Sequence, residues 1–511
     1  MTNVKSDPRQ DRRNDSADID RLMQDGDNHI RQGRGTEADA CFREVLAHQP
    51  GNPDALQRRG ILAFLRGDPS EAVELLSRTM AIRSDDATLC GHLASALMAC
   101  GNLDEAISYW QRALELAPDY AAAYVSLGNA YFAKSEIESS ELAYRKGIEL
   151  APDNPKAFVG LARVLHFGNR NEEAETALHQ ALELAEDAPE VCNLVGTVLL
   201  ETGELDAALE LFETSVRREP GEPQGHAGKG IALHMLRRLD DAEVAYRRAL
   251  EIDARYPLAL KHLGVLLQER DELDDAAECF RQLLAANPSD DVARHMLAAT
   301  AGETTPGAPA GYVTRLFDDY ADRFDAHLSR ISYRVPDLIR DAVVDIGGSD
   351  QPGWRIMDLG CGTGLCGEAL RPLAAFLAGA DLSPRMIAKS RERNVYDSLV
   401  TGCIEDAFEG QEKPFDLVVA GDVFTYVGDL SSAFAESARA LRPGGLMAFS
   451  IEHGDGDTYH LRPTGRYAHS PAYVEDTADS SGLSVVCRRD VVLREDPEPI
   501  QGQIVVLARN P

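Results

Sequence analysis

The stretch WRIMDLGCGTGLCGEALRPLAAFLAGADLSPRM, residues 354–386, decides the fold of the C-terminal part of the chain. Trp354 to Leu359 is an apolar run of strand length. It leads into DLGCGTG (358–364), whose Gly360, Gly362 and Gly364 permit a sharp turn without Cβ collisions. A short helix, Leu365 to Leu370, follows, so its N-terminus and the loop amides are expected to face a polar ligand. A second apolar run, Phe376 to Ala380, ends in Asp381, and a helix begins near Pro384. The glycine register separates ligand classes. A dinucleotide fingerprint requires GxGxxG, but after Gly360 and Gly362 the third place is Leu365, with Gly364 one position early. A nicotinamide dinucleotide is therefore excluded in favour of another nucleoside ligand.

Outward from this stretch, apolar runs recur at 399–403, 415–420, 441–453, 483–490 and 501–509. With the first two they give seven strands alternating with helices, the pattern of a mostly parallel α/β sheet. In such sheets ligands lie outside the carboxyl ends of the strands. Asp381, at the end of the second strand, is placed to accept ribose hydroxyls; its other reading is an N-cap for the helix at Pro384. Tyr426, His453, His460, Arg466, Tyr467 and His469 fall in loops after the fourth and fifth strands, where substrate is expected. Tyr426, His453 and His469 are the candidates for proton transfer, and His460, Arg466 and Tyr467 for substrate contact. An acceptor hydroxyl or ammonium must shed a proton to a base, whereas a carboxylate needs none and would be positioned by Arg or Tyr. The aromatics Tyr312, Phe317, Tyr320, Phe324 and Tyr333 precede the first strand at partly helical spacing.

The first half of the chain repeats at a period of 34 residues from position 19. The eighth place of each unit is Gly26, Gly60, Ala94, Gly128, Ala162, Gly196, Gly230 or Gly264, and the twentieth is Ala in every unit except for Ser140. The twenty-fourth is large: Phe42, Leu76, Trp110, Tyr144, Leu178, Phe212, Tyr246 and Phe280. Small residues let two helices approach and the bulky one fills the space beside them. Pro50, Pro118, Pro152, Pro220 and Pro288 stand where a second helix can end. The boundaries expected are a disordered N-terminus at 1–18, eight repeats at 19–290, a capping helix at 291–300, a Gly/Ala/Thr/Pro-rich linker at 301–311 and the α/β domain at 312–511.

The formal net charge is −32, with 44% hydrophobic and 27% charged residues. Such a field repels phosphate backbones and anionic membranes, so nucleic acid and membrane are poor partners. The nine cysteines form no CxxC or Cys/His ligand spacing, which predicts no metal site and small apolar packing roles in a reducing compartment. The start, MTNVKSDPRQDRRNDSAD, lacks the apolar region of a secretion signal, so a cytoplasmic protein is expected.

The GxGxG loop resembles the first motif of class I S-adenosylmethionine-dependent methyltransferases, and the 34-residue unit resembles the tetratricopeptide repeat. YVTRLFDDYADRFDAHL (312–328), VFTYVGDL (423–430) and LRPTGRYAHS (461–470) make the resemblance closer to methyltransferases that carry such repeats. It implies an all-α superhelix followed by a Rossmann-like α/β domain that binds S-adenosylmethionine, with a protein partner on the concave face of the repeats. It also implies cofactor contacts at Asp358, Gly360, Cys361, Gly362 and Gly364 in the loop, and at Asp381, Leu382 and Met386 around the ribose and adenine. Ala420, Gly421 and Asp422 would lie near the methionyl ammonium, and the aromatic helices would form a lid with Tyr320 beside the cofactor. At the adenine edge the family's acidic and apolar pair is replaced by Cys403 and Ile404, so that either Glu405 or Asp406 supplies the carboxylate or backbone and packing hold the adenine. The competing expectation is a tetratricopeptide adaptor whose methyltransferase-like domain has lost turnover.

Overall fold

The computed structural model describes residues 8–168, 170–185, 188–321, 323–347, 353–411, 413–495 and 499–511. The chain divides at 220/221 into two compact units. The first consists of helix pairs, from Pro8–Arg31 with Gly35–His48 to Pro189–Thr202 with Leu205–Arg218. The expected disordered N-terminus is corrected in part, because helix continues back to Pro8 ahead of the repeat register. Residues 1–7 lie outside the described residues.

The small and large positions meet as their sizes require. A Cβ on Gly128 would fall 2.9 Å from the Tyr144 ring, and one on Gly160, in the next helix pair, 2.2 Å from it. The Tyr144 ring thus sits between two glycines, and its hydroxyl donates to Asn129 Oδ1 at 2.6 Å. Helices Gly35–His48, Leu103–Leu116 and Ile137–Leu150 each stop two residues before Pro50, Pro118 and Pro152. First helices open with Asn52 or Asp86 side chains accepting the Ala55 and Leu89 amides, both at 3.0 Å.

The second unit starts with two further pairs, Pro223–Met235 with Leu239–Ile252 and Pro257–Glu269 with Leu273–Ala286, followed by the helix Asp291–Thr300. Residues 304–308 correct the expected linker. Pro306 O accepts Gly428 N at 2.9 Å and Asp429 N at 2.7 Å, Ala308 N donates to Tyr426 O at 2.9 Å, and Thr305 Oγ1 lies 2.5 Å from Tyr467 Oη. Small residues let this strap lie backbone to backbone on the α/β domain, so a composition typical of a flexible spacer instead makes a fixed crossing. Helices Ala310–Tyr320, Phe324–Arg330 and Val335–Gly347 follow.

Among the described residues the sheet has nine strands: β1 (Trp354–Leu359), β2 (Ala374–Asp381), β3 (Ser398–Thr401), β4 (Phe415–Ala420), β5 (Leu441–His453), β6 (Tyr459–Leu461), β7 (Tyr467–His469), β8 (Leu483–Glu495) and β9 (Pro499–Arg509). Five run parallel in the order β3-β2-β1-β4-β5, and antiparallel β9 joins the other side of β5 with β8 beyond it. Seven strands were expected. The additional pair, β6 and β7, is a hairpin of three-residue strands, too short for alternation to register in the sequence. β4 stops pairing with β5 at Ala420 opposite Phe449, and β7 takes over that side at Glu452 and His453. The hairpin therefore stands beyond the end of β4, at the sheet's carboxyl edge.

Both sheet faces are covered, as a parallel sheet requires. Trp354 and Ile356 pack with Val335, Ile339 and Val343 on one face. Met357 and Leu359 pack with Phe424, Phe434 and Phe449 on the other. Among the described residues no helix is long and apolar enough to cross a membrane.

The Gly160 contact supplies a test. Gly160→Ala puts a methyl group into the Tyr144 ring, and overpacking of this kind costs about 1–3 kcal/mol. Urea denaturation is expected to show a lowered midpoint, recovered in part by Tyr144→Leu in the same chain.

Candidate functional site

The loop after β1 turns by backbone that favours glycine. Gly360, Gly362 and Gly364 have φ of 60°, 54° and 97°. A Cβ on Gly360 would lie 2.4 Å from Val423 Cγ2, so no side chain fits there. One on Gly362 would meet only Phe324, at 3.7 Å. Asp381, at the end of β2, accepts the Gly362 amide through Oδ2 at 2.9 Å and the Ser383 amide through Oδ1 at 2.8 Å. The cap of the helix Pro384–Arg393 is Ser383, whose Oγ accepts Met386 N at 3.0 Å. Asp381 thus braces the loop and still lines a cavity of about 770 Å³. Desolvation raises its pKa, with the Ser383 and Gly362 amides working the other way.

Beneath the loop lies Asp358, which is buried; its Oδ2 accepts the Tyr396 hydroxyl at 2.6 Å. Burial pushes its carboxyl up to about 7, against the pull of that phenol.

Over the cavity lie the helices Ala310–Tyr320 and Phe324–Arg330. Their aromatic rings interlock edge to face, Phe317 with Tyr426 at 5.3 Å and Tyr320 with Phe324 at 5.6 Å. Two carboxylates hold them down: Asp318 accepts Ser383 Oγ at 2.5 Å, and Asp325 accepts Thr363 Oγ1 at 2.5 Å and pairs with Arg393. Tyr312, Phe317, Tyr320, Phe324 and Tyr333 all line the cavity.

At the far end, beyond β4 and β5, charged groups converge. Asp422 takes the left-handed conformation, φ 57°, which Asp tolerates better than most residues. Its amide donates to Ser450 Oγ at 2.7 Å, and Ser450 Oγ donates back to Asp422 Oδ1 at 3.0 Å. Arg494 of β8, 4% exposed, reaches Asp422 Oδ2 at 2.8 Å and also pairs with Glu452. Glu452 further receives Arg462 at 3.0 Å and Arg466 at 3.5 Å. Desolvation raises the pKa of Asp422 and of Glu452, opposed in each first by Arg466.

The structure sorts the expected site residues. Gly360, Gly362, Asp381, Leu382, Ile404, Glu405, Gly421, Asp422, Tyr426 and Arg466 line the cavity together. Asp358, Cys361, Gly364 and Ala420 are not in its lining; Asp358 and Gly364 brace the loop, Cys361 is buried beside Ser390 and Ala420 is buried in the sheet. Met386 is also fully buried outside the lining, because the helix start capped by Ser383 turns its side chain inward. Of the two acidic residues after β3, Asp406 is spent on the Cys403 amide at 3.0 Å, and Glu405 faces the cavity.

His453, His460, Tyr467 and His469 are absent from the lining. His453 is exposed, its carbonyl bound to Arg462 at 2.6 Å. His460 belongs to β6, and Tyr467 is buried against the strap. His469 Nε2 donates to Val427 O at 2.9 Å and Gly428 O at 3.0 Å from a fully buried position, so it braces the loop after β4. Burial lowers its pKa to about 4. Arg494, Tyr396, Asp318 and Asp325 are the residues missed in the sequence. Each acts on a partner at least 38 positions away, and no local spacing signals such a pair.

A family model described as a methyltransferase domain matches residues 357–449. Tetratricopeptide-repeat models match 24–87, 94–135, 121–154, 159–223 and 194–257. Malonyl-[acyl-carrier protein] O-methyltransferase of Serratia marcescens is 33% identical over 103 residues, 20% of this chain and 40% of that protein. Ubiquinone biosynthesis O-methyltransferase of Maricaulis maris is 32% identical over 118 residues, 22% of this chain and 46% of that protein. The chain thus spans less than half the length of these two relatives. The crystal structure of MamA has 28% identity and a TM-score of 0.30, covering 32% of this chain and 94% of that one.

The His469 environment predicts a pH effect. In the unfolded chain its imidazole titrates near 6.5, whereas the fold resists protonation down to about 4. Between these values the unfolded state takes up a proton that the folded state does not, so stability falls as pH falls through the window. Relative to His469→Gln, the natural chain should lose up to about 3 kcal/mol from pH 7 to pH 4, measured by denaturant titration at each pH. A constant difference between the two proteins would refute the assignment.

Proposed function

We propose that this chain, a methyltransferase domain behind tetratricopeptide repeats, transfers methyl groups from S-adenosylmethionine and uses its repeats to recruit a protein that is, or presents, the acceptor. The observation that carries the reading is Asp381, a strand-end carboxylate lining one cavity with the Gly360–Gly362 turn.

The residues present fit the cofactor. Each Asp381 oxygen has one amide donor and keeps capacity to accept a ribose hydroxyl. Leu382 and Ile404 offer apolar surface to a purine, Glu405 offers a carboxylate at its edge, and Gly421 and Asp422 offer the end of β4 to the methionyl group. When bound, the cofactor supplies a methyl carbon activated by its sulfonium centre. The protein's work is then to align an acceptor with that carbon and to keep water out, which suits the aromatic lid held down by Asp318 and Asp325. A superhelix of helix pairs presents a concave face suited to a peptide or protein partner.

Calorimetric titration with S-adenosylhomocysteine tests the cofactor site. The natural chain is expected to bind. Asp381→Ala should weaken binding about tenfold or more through lost hydrogen bonds to a charged group, and Gly362→Arg, which fills the cavity, should abolish it with helix content unchanged by circular dichroism. No binding to the natural chain removes the enzyme reading, and binding without methyl transfer to any extract component favours an adaptor. Deleting residues 1–220 should leave cofactor affinity intact and lower transfer of labelled methyl into extract; equal transfer would remove the recruiting role of those repeats.

A further inference from the structure

We infer that the acceptor is a carboxylate, held by Arg466 and methylated to an ester; the inference rests on the methyltransferase reading above. It names the substrate class for the end of the cavity opposite Asp381.

The charges at that end do not cancel. Asp422 and Glu452 supply two negative charges, while Arg494, Arg462 and Arg466 supply three positive ones. Arg494 takes the best geometry on both carboxylates, and Arg462 takes the remaining Glu452 oxygen at 3.0 Å. The ion pair left for Arg466 is a 3.5 Å approach to Glu452 Oε1, already shared with Arg494, and its other partner is the neutral Tyr426 phenol. Arg466 lines the cavity together with Arg494 and Asp422, which pair with each other at 2.8 Å, while Arg462 and Glu452 stand outside the lining, so the surplus positive charge of this end faces the ligand. One surplus charge matches a carboxylate better than a doubly charged phosphate. The guanidinium plane also matches two carboxylate oxygens. In a chain of net charge −32 a concentrated cationic end is a local arrangement, not a consequence of composition.

The phenols of Tyr312 and Tyr426 line the same region, and their electrostatic coupling to Arg466 places them beside it. Burial raises both phenols, which keeps them protonated as hydrogen-bond donors. The backbone under Arg466 is fixed as well. His295 Nε2 donates to the carbonyl of Gly465 at 2.8 Å, and Arg462 N donates to Arg466 O at 2.8 Å.

The proton inventory agrees. An alcohol or amine acceptor needs a base in reach, but Asp422 and Glu452 are occupied by arginines, the lining carboxylates Asp429 and Glu405 accept Ser431 N with Tyr473 Oη and Ser432 Oγ, and His469 is buried elsewhere. His327, the one imidazole among the described lining residues, belongs to the lid and packs on Tyr320 at 5.5 Å. A carboxylate requires no base. One of its oxygens uses a lone pair to form the O–CH3 bond, the S–CH3 bond breaks with its electron pair going to sulfur, and no proton moves. Arg494 is a positioning residue in this account, since it acts by occupying Asp422 and Glu452.

The experiment incubates the full chain with S-adenosylmethionine tritiated in the methyl group and a desalted, unheated cell extract, taking Gly362→Arg protein as the blank for transfer by the extract's own enzymes. Mild alkali then separates esters, which release volatile labelled methanol, from ethers and methylamines, which do not. We expect alkali-labile label. Arg466→Ala should cut transfer at least tenfold through acceptor KM with S-adenosylhomocysteine affinity unchanged, and Arg466→Lys should restore part of it. Arg494→Met should raise KM without changing the alkali lability. Alkali-stable label overturns the inference, with His327 the base to examine. A second arm titrates short-chain carboxylates and their primary amides into the S-adenosylhomocysteine-loaded chain. Preference for the carboxylate, lost in Arg466→Ala, supports the anion site even where extract supplies no acceptor; equal binding overturns it. Failure to bind S-adenosylhomocysteine at all brings down the underlying reading instead, and the inference with it.

Discussion

One carboxylate joins the two turns on which the α/β domain depends. Asp381 takes the Gly362 amide from the turn after β1 and the Ser383 amide from the turn after β2. Left-handed glycine backbone aims its amides at one point, and without an acceptor there those groups would be buried and unpaired. The rest of the loop is secured from the helix that Asp381 helps to start. Ser390 Oγ donates to Gly362 O at 2.8 Å, and Arg393 Nε donates to Thr363 O at 2.8 Å. Loop and lid share these anchors, since Arg393 also pairs with Asp325 and Ser383 also donates to Asp318. The two helices over the cavity are thus fastened to the same groups that shape the glycine loop.

The features legible in the sequence are those whose physical cause is local. The repeat period is visible because each bulky residue packs against a small residue of its own unit, as Tyr144 does on Gly128 and Phe280 on Gly264. The glycine loop is visible because three positive φ angles within five residues demand glycine in place. Asp381 is visible because a strand end and a helix start fix its position. Its reading as an N-cap is corrected, because Ser383 caps the helix, while Asp381 gives one oxygen to each of two loop amides and lines the cavity.

What escaped the sequence depends on residues brought together from afar. Arg494 meets Asp422 across 72 positions and Glu452 across 42, and an isolated Arg in a strand carries no mark of such partners. The segment 301–311 was misleading because composition reports a lack of apolar period, while the strap is held by backbone hydrogen bonds that any small residue can make. The histidines of YHLRPTGRYAHS were misleading for the opposite reason. Their density suggests a site, but His469 is buried against the carbonyls of Val427 and Gly428, while Arg466 faces the cavity.

The same hairpin shows why the end of the repeat array and the cavity behave as one piece of structure within the second unit. Ala298 and Ala299 of the capping helix pack with Leu461 and Tyr467 on its two strands. His295 holds the Gly465 carbonyl at 2.8 Å, and Met296 Sδ lies so near Gly465 that a Cβ there would be 3.1 Å away. Arg466 is the next residue, so its backbone is positioned jointly by the sheet below and the capping helix beside it. Burial lowers the His295 pKa while the Gly465 carbonyl works against that shift, which leaves a neutral imidazole donating one well-defined hydrogen bond. A shift of that helix relative to β5 must displace the hairpin or break this bond, and either change moves the guanidinium at the cavity wall. The cavity wall that carries Arg466 is therefore built partly from the helix Asp291–Thr300.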